Sequence, residues 1–186
     1  MSNVSIDKKK FRDDVKKNLN NLDQRQYEAL NIDLSKNVSL FFQTHHIIQK
    51  VVGVFSPIQK EPIWYLSLDE EENVFSFPIE VNGLMVFIKS SWSELEERTE
   101  FGVNLKVPKK NGEVASPDLI LIPGLAFSKN GKRLGRGKGY FDRYLENFKG
   151  LRIGIGFECQ LFEEVPTDEH DEKLNWLITE KNIYKF

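Results

Sequence analysis

Residues 118–145 read DLILIPGLAFSKNGKRLGRGKGYFDRYL, and this stretch predicts a strand, a loop and a helix in succession. The apolar run at 118–124 has the length of a buried strand and ends in a Pro-Gly pair. Tyr140, Tyr144 and Phe148 recur every fourth residue, which is typical of one face of a helix. The segment between them is rich in glycine and basic residues, so the strand and the helix are joined by an unusually free and positively charged loop.

The segments on either side continue this alternation of strands and helices. VVGVF at 51–55 and RIGIGFE at 152–158 are predicted to be further buried strands, and an Asn-Gly pair within 74–88 predicts a hairpin. Helices are predicted at 5–20 and after a capping box that begins at Asp23. The order of elements predicts an α/β fold with a largely parallel central sheet, whereas the charged stretch between the hairpin and residue 118 has no clear assignment.

The composition indicates an ordinary globular protein. The chain has 186 residues, of which 40% are hydrophobic and 29% charged, with a net charge of -2. We expect one domain, residues 1–186, and neither nucleic acid nor a membrane as partner. The lone cysteine, Cys159, excludes an internal disulfide and is expected in the core. With no apolar segment typical of a signal peptide or a membrane span, the expected location is cytoplasmic.

The glycine-rich loop has the composition of an anion site. Its basic residues and alternating glycines are Arg133, Gly135, Arg136, Gly137, Lys138 and Gly139. Glycines let a ligand lie against backbone N–H groups, and arginine and lysine add charge that suits phosphate. The alternative is a loop whose bases are merely solvated, although the glycines would then cost conformational entropy without a gain.

Known phosphate signatures do not match this loop. The spacing is neither that of a P-loop nor that of the dinucleotide fingerprint. RGKGYFDR is close to an RNA-recognition signature, but Lys138 and Arg143 stand where that signature requires aromatic residues. RNA binding therefore remains a weaker alternative.

Two other segments contain candidate ligand contacts. Lys8, Arg12 and Lys16 form a column of like charges on the first helix, which is either a solvated face or a site for an anion. Glu61 follows the strand at 51–55, and loops at the carboxyl ends of strands build sites in open α/β sheets.

The run LIPGLAFSKNGKRLGRGKGYFDRYL at 121–145 strongly resembles the signature of 5-formyltetrahydrofolate cyclo-ligases, also called methenyltetrahydrofolate synthetases. Three shorter segments resemble other elements of that family, in the same order. KKKFR at 8–12 is similar to its N-terminal Lys-x-x-x-Arg element, FSPIQKEP at 55–62 to its substrate-binding loop, and His-Asp at 170–171 to its C-terminal acidic site.

The resemblance implies an ATP-dependent enzyme that converts 5-formyltetrahydrofolate into 5,10-methenyltetrahydrofolate and releases ADP and phosphate. ATP would phosphorylate the formyl oxygen, and N10 of the folate would then displace phosphate. It also implies a three-layer α/β sandwich with a mostly parallel central sheet, similar to the sugar-phosphate isomerase and CoA transferase-like fold. We expect small-molecule substrates and a monomer.

The resemblance also assigns roles to residues. Arg136 and Lys138 would act in catalysis, Ser56, Glu61 and Tyr140 would bind the folate, and Asp142 and Asp171 would hold Mg²⁺. The expected ATP contacts are Lys8, Lys9, Lys10, Phe11 and Arg12, and then Arg133, Leu134, Gly135, Arg136, Gly137, Lys138, Gly139, Tyr140 and Phe141.

Two departures from the family pattern fall near the expected folate site. Trp64 replaces a small hydroxyl residue, and the segment 105–108 lacks an acidic residue before its proline. The folate pocket is therefore expected to have a shape of its own. The main rival interpretation is another phosphate-ligand enzyme on the same fold, an isomerase or transferase.

Overall fold

The computed structural model describes residues 7–166 and 172–186. Its α-helices in these ranges are α1 (Lys8–Asn20), α2 (Gln24–Thr44) and α3 (Tyr140–Leu145). Its strands are β1 (Val51–Gly53), β2 (Val74–Val81), β3 (Leu84–Lys89), β4 (Glu96–Glu100), β5 (Val103–Val107), β6 (Val114–Ala115), β7 (Leu119–Pro123), β8 (Ala126–Ser128), β9 (Arg133–Leu134), β10 (Leu151–Ile155), β11 (Leu161–Phe162), β12 (Trp176–Ile178) and β13 (Ile183–Lys185). Within the same ranges, none of the helices combines the length and apolar character needed to cross a bilayer.

The central sheet has eight strands in the order β13-β12-β10-β7-β1-β2-β3-β6. The five neighbouring strands from β12 to β2 run parallel, and β13, β3 and β6 add antiparallel edges. The prediction of an α/β fold with a mostly parallel central sheet is confirmed. A short sheet of β11, β8 and β9 leads from this sheet into the glycine-rich loop.

The two faces of the sheet are covered by different helices. Leu119 and Leu121 of β7 belong to a core cluster with buried residues of α1 and α2. Ile120 and Ile122 point to the opposite face and pack in a second cluster with Leu145 of α3. Because β7 is buried on both faces, its sequence is a continuous apolar run rather than an alternating one.

The boundaries of the predicted elements follow local chemistry. Helix α1 begins at Lys8, three residues later than predicted, because the Asp7 side chain caps it and accepts a hydrogen bond from the Lys9 N–H at 2.8 Å. The capping box of α2 at Asp23 is confirmed. The β2–β3 hairpin is also confirmed, and Asn82 and Gly83 both adopt the positive φ that such a turn requires.

The segment that had no assignment forms a second hairpin. Strands β4 and β5 pair in antiparallel register from Glu96 with Val107 to Glu100 with Val103, outside the central sheet. Phe101 and Gly102 make its turn, both with positive φ. The apolar residues of 101–107 alternate with polar ones, a signal for a half-exposed strand that the charged composition obscured.

Cys159 is exposed, so its prediction as a core residue is wrong. It lies in a single 3₁₀ turn, Glu158–Gln160, after β10. In this turn Gln160 is the buried residue, and its side chain bonds the Phe157 N–H at 2.7 Å and the Gly124 carbonyl at 2.9 Å. The chain therefore buries a hydrogen-bonding side chain here and leaves the thiol outside.

Candidate active site

A cavity of about 300 Å³ opens where the chain leaves β1 and β7. This is the edge of a parallel sheet at which α/β proteins place their ligands. The residues that line it are Phe55, Ser56, Ile58, Glu61, Pro78, Met85, Phe101, Val103, Leu105, Pro123, Gly124, Arg133, Gly135, Arg136, Gly137, Lys138, Gly139, Tyr140, Phe141 and Asp142. The cavity thus brings together the loop at 55–62, which we call the folate loop for its predicted ligand, and the glycine-rich loop at 133–139, which we also call the phosphate loop.

The glycine-rich loop lines one wall of the cavity with backbone and basic side chains. Gly137 and Gly139 have φ values of 97° and 69°, which other residues rarely adopt. These turns present Arg136 and Lys138 on the loop, with Lys138 exposed and Arg136 half-buried. Leu134, another expected ATP contact, has its side chain buried in the apolar core at the start of the loop.

Helix α1 packs directly against the loop. The Arg12 Nε donates a hydrogen bond to the Gly135 carbonyl at 3.0 Å, although 123 positions separate the two residues. Phe11 fixes the helix by an edge-to-face contact with Phe162, 5.1 Å between ring centroids. The basic N-terminal helix and the phosphate loop therefore meet, as the predicted ATP contacts require. Lys9 and Lys10 are exposed on the same helix.

Arg133 has a different environment from the other bases of the loop. Its side chain is buried, donates to the Pro123 carbonyl at 3.2 Å and forms an ion pair with Asp142. Its guanidinium also lies 5.8 Å from the ring centroid of Phe141. These contacts tie the loop to β7 and α3, so Arg133 shapes the loop as well as lining the cavity.

The predicted metal ligands are described in part. Asp142 lines the cavity with its side chain 39% exposed, and Asp171 lies outside the described residues. Over residues 7–166 and 172–186, no group of three or more His, Cys, Asp and Glu side chains is arranged to hold a metal ion. Any Mg²⁺ bound here would need oxygen atoms of a ligand or water beside Asp142.

Glu61 joins the two halves of the cavity. Its Oε1 accepts a hydrogen bond from the Arg136 Nε at 2.7 Å, and its Oε2 accepts one from the Ile58 N–H at 3.1 Å. Burial raises the pKa of the Glu61 carboxyl above its ordinary value, and the Arg136 guanidinium opposes that shift. The residue expected to bind folate and one expected to act on ATP are thus an ion pair.

Ser56 and Tyr140, the other predicted folate contacts, both line the cavity. The Ser56 hydroxyl donates to the Lys106 carbonyl and so links the β1 loop to the β4–β5 hairpin. The Tyr140 hydroxyl donates to Glu80 at 2.6 Å, and this hydrogen bond raises the pKa of the phenol. The aromatic ring of Tyr140 is therefore fixed in the wall by its polar end.

Sequence reasoning missed one apolar wall of the cavity. Phe101, Val103 and Leu105 line it from the β4–β5 hairpin, where their alternation was the available signal. Trp64 is fully buried next to the cavity wall, with its Nε1 donating to the Phe55 carbonyl at 3.0 Å. The bulky residue at this position therefore supports the folate loop from the core.

Residues 4–180 match the model of the 5-formyltetrahydrofolate cyclo-ligase family. The mouse 5-formyltetrahydrofolate cyclo-ligase is 44% identical over 69 residues, an alignment that spans 34% of this chain and 34% of the mouse protein. A probable 5-formyltetrahydrofolate cyclo-ligase of Caenorhabditis elegans is 29% identical over 174 residues, or 84% of this chain and 82% of that protein.

A solved structure gives the same result at the level of the fold. The NMR structure of Aquifex aeolicus 5,10-methenyltetrahydrofolate synthetase superposes with a TM-score of 0.82 and 29% sequence identity. The superposition covers 96% of this chain and 92% of that chain. Since the family model spans nearly the whole sequence and the fold agrees, the chain belongs to the 5-formyltetrahydrofolate cyclo-ligase family.

Proposed function

We propose that this protein converts 5-formyltetrahydrofolate and ATP into 5,10-methenyltetrahydrofolate, ADP and phosphate. The observation that carries the proposal is the shared cavity, in which the basic glycine-rich loop faces the loop that contains Ser56 and Glu61. Family membership supports the same reaction. A site for a polyanion and a site for a planar polar ring within one cavity suit a transfer between two substrates.

The chemistry requires activation of a poor leaving group. The formyl oxygen attacks the γ-phosphorus of ATP, so that an O–P bond forms and the bond from phosphorus to ADP breaks. N10 of the folate then attacks the formyl carbon and loses its proton, and the C–O bond breaks with phosphate as the leaving group. Both steps need the substrates held together and away from bulk water.

The nucleotide half of this proposal rests on the loop and α1. The N–H groups around Gly135, Gly137 and Gly139 and the side chains of Arg136 and Lys138 would surround the phosphates. The bond from Arg12 to the Gly135 carbonyl adds the positive charge of α1 to the same place. Lys138 is exposed, and the long stem of a lysine lets its charge move, so it suits the role of a point charge on the transferred phosphoryl group.

The donor set in the described part of the chain is compatible with Mg²⁺. This ion commonly binds one or two carboxylates together with substrate phosphates and waters, so the absence of a larger cluster in those residues is compatible with it. Asp142 would hold the ion, and Asp171 is the second proposed ligand. When bound, Mg²⁺ would neutralise charge on the phosphate oxygens.

The folate half rests on Glu61 and the apolar wall. The Glu61 carboxylate is buried at the base of the cavity and would accept hydrogen bonds from the amide and amine groups of the pterin. Phe101, Val103 and Tyr140 would cover the faces of the ring system. Because Glu61 is paired with Arg136, we propose that binding of one substrate changes the affinity for the other.

The test is a mixture of protein, 5-formyltetrahydrofolate, ATP and Mg²⁺, in which formation of the methenyl product is followed by absorbance and phosphate release is measured in parallel. The expected result is equal amounts of product and phosphate, with no turnover when ATP or Mg²⁺ is omitted. ATP hydrolysis without the methenyl product would favour a different phosphate-transfer enzyme. Failure of both readouts in a folded protein would overturn the proposal.

A further inference from the structure

The buried face of α2 contains three polar residues at a spacing of four. Tyr27, Asn31 and Ser35 lie one helical turn apart, and their exposed fractions are 7%, 1% and 0%. Burial of a polar group is costly unless it is hydrogen-bonded, so such residues on a face that packs a core require partners. We name these three residues the α2 polar row.

The side chains of the α2 polar row make their hydrogen bonds outside the helix to one segment, residues 61–67. Tyr27 donates its hydroxyl hydrogen to the Glu61 carbonyl at 2.6 Å, and Asn31 Oδ1 accepts from the Ile63 N–H at 2.7 Å. Ser35 donates to the Trp64 carbonyl at 3.0 Å and accepts from the Ser67 N–H at 2.7 Å.

This segment has little regular structure of its own to hold it. Residues 54–73, between β1 and β2, form neither helix nor strand. Backbone groups in such a buried or half-buried segment need hydrogen-bond partners elsewhere. The three side chains of the α2 polar row make four hydrogen bonds to these groups. Helix α2 therefore provides hydrogen-bond partners for the backbone of this segment, as neighbouring strands do for the backbone of β1.

The first bond of the row bears directly on the cavity. Tyr27 holds the backbone of Glu61 itself, and Asn31 holds the backbone two residues further on. The Glu61 side chain starts from this fixed backbone and reaches Arg136. The ring of Tyr27 is also held, since it contacts Phe157 edge-to-face and lies 4.5 Å from the Lys60 Nζ.

We infer that Tyr27 is a positioning residue that sets the Glu61 carboxylate for recognition of the folate. The inference rests on the proposed function, because it concerns the substrate that Glu61 binds. Tyr27 lies outside the residues that line the cavity and acts through the Glu61 backbone. Its contribution should appear first in folate binding, because Tyr27 can affect the glycine-rich loop only through the Glu61–Arg136 pair.

The test is Tyr27→Phe, which keeps the ring and its contacts with Phe157 and Lys60 and removes only the hydroxyl. The expected result is a rise of about 5- to 10-fold in the KM for 5-formyltetrahydrofolate, the factor that corresponds to one lost hydrogen bond. The KM for ATP should rise less than the KM for 5-formyltetrahydrofolate, because the change reaches the glycine-rich loop only through the Glu61–Arg136 pair.

Ser35→Ala is the matched control, because it removes hydrogen bonds of the same row at Trp64 and Ser67, beyond Glu61. Thermal unfolding is measured for both variants. If Tyr27 positions Glu61, Tyr27→Phe raises the folate KM more than Ser35→Ala does, although Ser35→Ala removes two hydrogen bonds rather than one and lowers the melting temperature at least as much. If the folate KM instead follows the loss of melting temperature in both variants, the row is merely structural and the inference is overturned.

The same experiment separates this inference from the proposed function. Absence of methenyl product from folded wild-type protein overturns the proposed function, and the inference with it. An active wild type with an unchanged folate KM in Tyr27→Phe overturns the inference alone.

Discussion

Arg136 belongs to the predicted ATP site, and its side chain contacts the predicted folate site. Its Nε donates to Glu61 and its Nη1 lies 3.4 Å from the Gln59 Oε1, whereas its backbone belongs to the phosphate loop. If Arg136 turns toward a phosphate, its ion pair with the buried Glu61 carboxylate is weakened. If Arg136 keeps the ion pair, the phosphate adds negative charge close to Glu61. We therefore propose that ATP and folate affect each other's binding through this ion pair.

Lys138→Ala is expected to lower kcat by about 100- to 1000-fold, the usual cost of removing one electrostatic contact to a transition state. Its side chain is exposed in the structure, so the fold should be unchanged. Steady-state kinetics and thermal unfolding measure the two effects. Lys36→Ala is the control, because Lys36 is an exposed lysine of α2 paired with Asp33. Wild-type kcat in Lys138→Ala would contradict the proposed role.

Glu61→Gln is expected to change the pH dependence of stability. Burial raises the pKa of Glu61 above its ordinary 4.5, with Arg136 opposing. A carboxyl whose pKa rises on folding contributes stability that is fully present below the ordinary pKa and lost as the pH rises through the folded pKa. Glutamine stays neutral, so the unfolding free energy of wild type minus that of the variant should fall as the pH increases from about 4.5.

Urea unfolding at a series of pH values measures this difference. A difference that grows with pH would show that the ion pair, rather than burial, determines the pKa of Glu61.

At the residue scale, the sequence indicated which residue types could bind an anion but not which side chains contact each other. Glycines and basic residues in one loop indicated an anion site because only a few residue types provide that backbone freedom and charge. The Arg133–Asp142 pair and the Glu61–Arg136 pair were missed, because each joins side chains whose proximity depends on the tertiary fold. Tyr27 and Asn31 were missed for the same reason.

At the scale of elements, the glycine-rich loop depends on the positive φ angles of Gly137 and Gly139. Gly137→Ala would place a Cβ at a φ of 97°, where the nearest atom, Arg12 Cζ, is at an ordinary contact distance of 3.5 Å. The cost is therefore conformational, about 1–2 kcal/mol of stability. Because the same change distorts the phosphate loop, the KM for ATP is expected to rise.

Gly83→Ala is the control for this variant. Gly83 has a φ of 80° in the β2–β3 turn, with no atom within 4 Å of an added Cβ. We expect a similar loss of stability in urea unfolding and an unchanged KM for ATP. Equal KM values in the two variants would contradict a nucleotide-binding role for the loop.

Strong periodicity made some elements predictable, and weak periodicity concealed others. The buried strands, the capped helix α2 and the Asn-Gly hairpin each have a local signal, and all were confirmed. The β4–β5 hairpin was missed because charged residues outnumber apolar ones in β4, where only one face meets the protein. Its turn at Phe101 also lacks the usual Asn-Gly pair.

At the scale of the whole molecule, three segments that are far apart in the sequence line one cavity. The loop after β1, the β4–β5 hairpin and the glycine-rich loop line it, and helix α1 contacts the glycine-rich loop through Arg12. We therefore propose a single domain that is active as a monomer. Specific activity should stay constant when the protein is diluted over a wide concentration range, and light scattering should give the mass of one chain. Loss of activity on dilution would contradict this.

The sheet order explains why distant motifs in the sequence make one cavity. Strands β1 and β7 are neighbours, so the loops that follow them emerge side by side, although they are about 70 positions apart in the chain. The parallel sheet was predicted, but the order of its strands was not, since that order depends on long-range contacts. The resemblance, rather than the pattern of residues, indicated that the motifs converge.

The aromatic residues beneath the folate loop have a practical consequence. Trp64, Tyr65 and Trp92 are in mutual contact, with ring centroids 4.4–5.5 Å apart, and the row on α2 anchors the backbone of the same segment. Indole fluorescence responds to its surroundings, so the emission of Trp64 and Trp92 can report changes near this cluster. Occupancy of the adjoining cavity could then be followed by emission from unlabelled protein, separately from turnover.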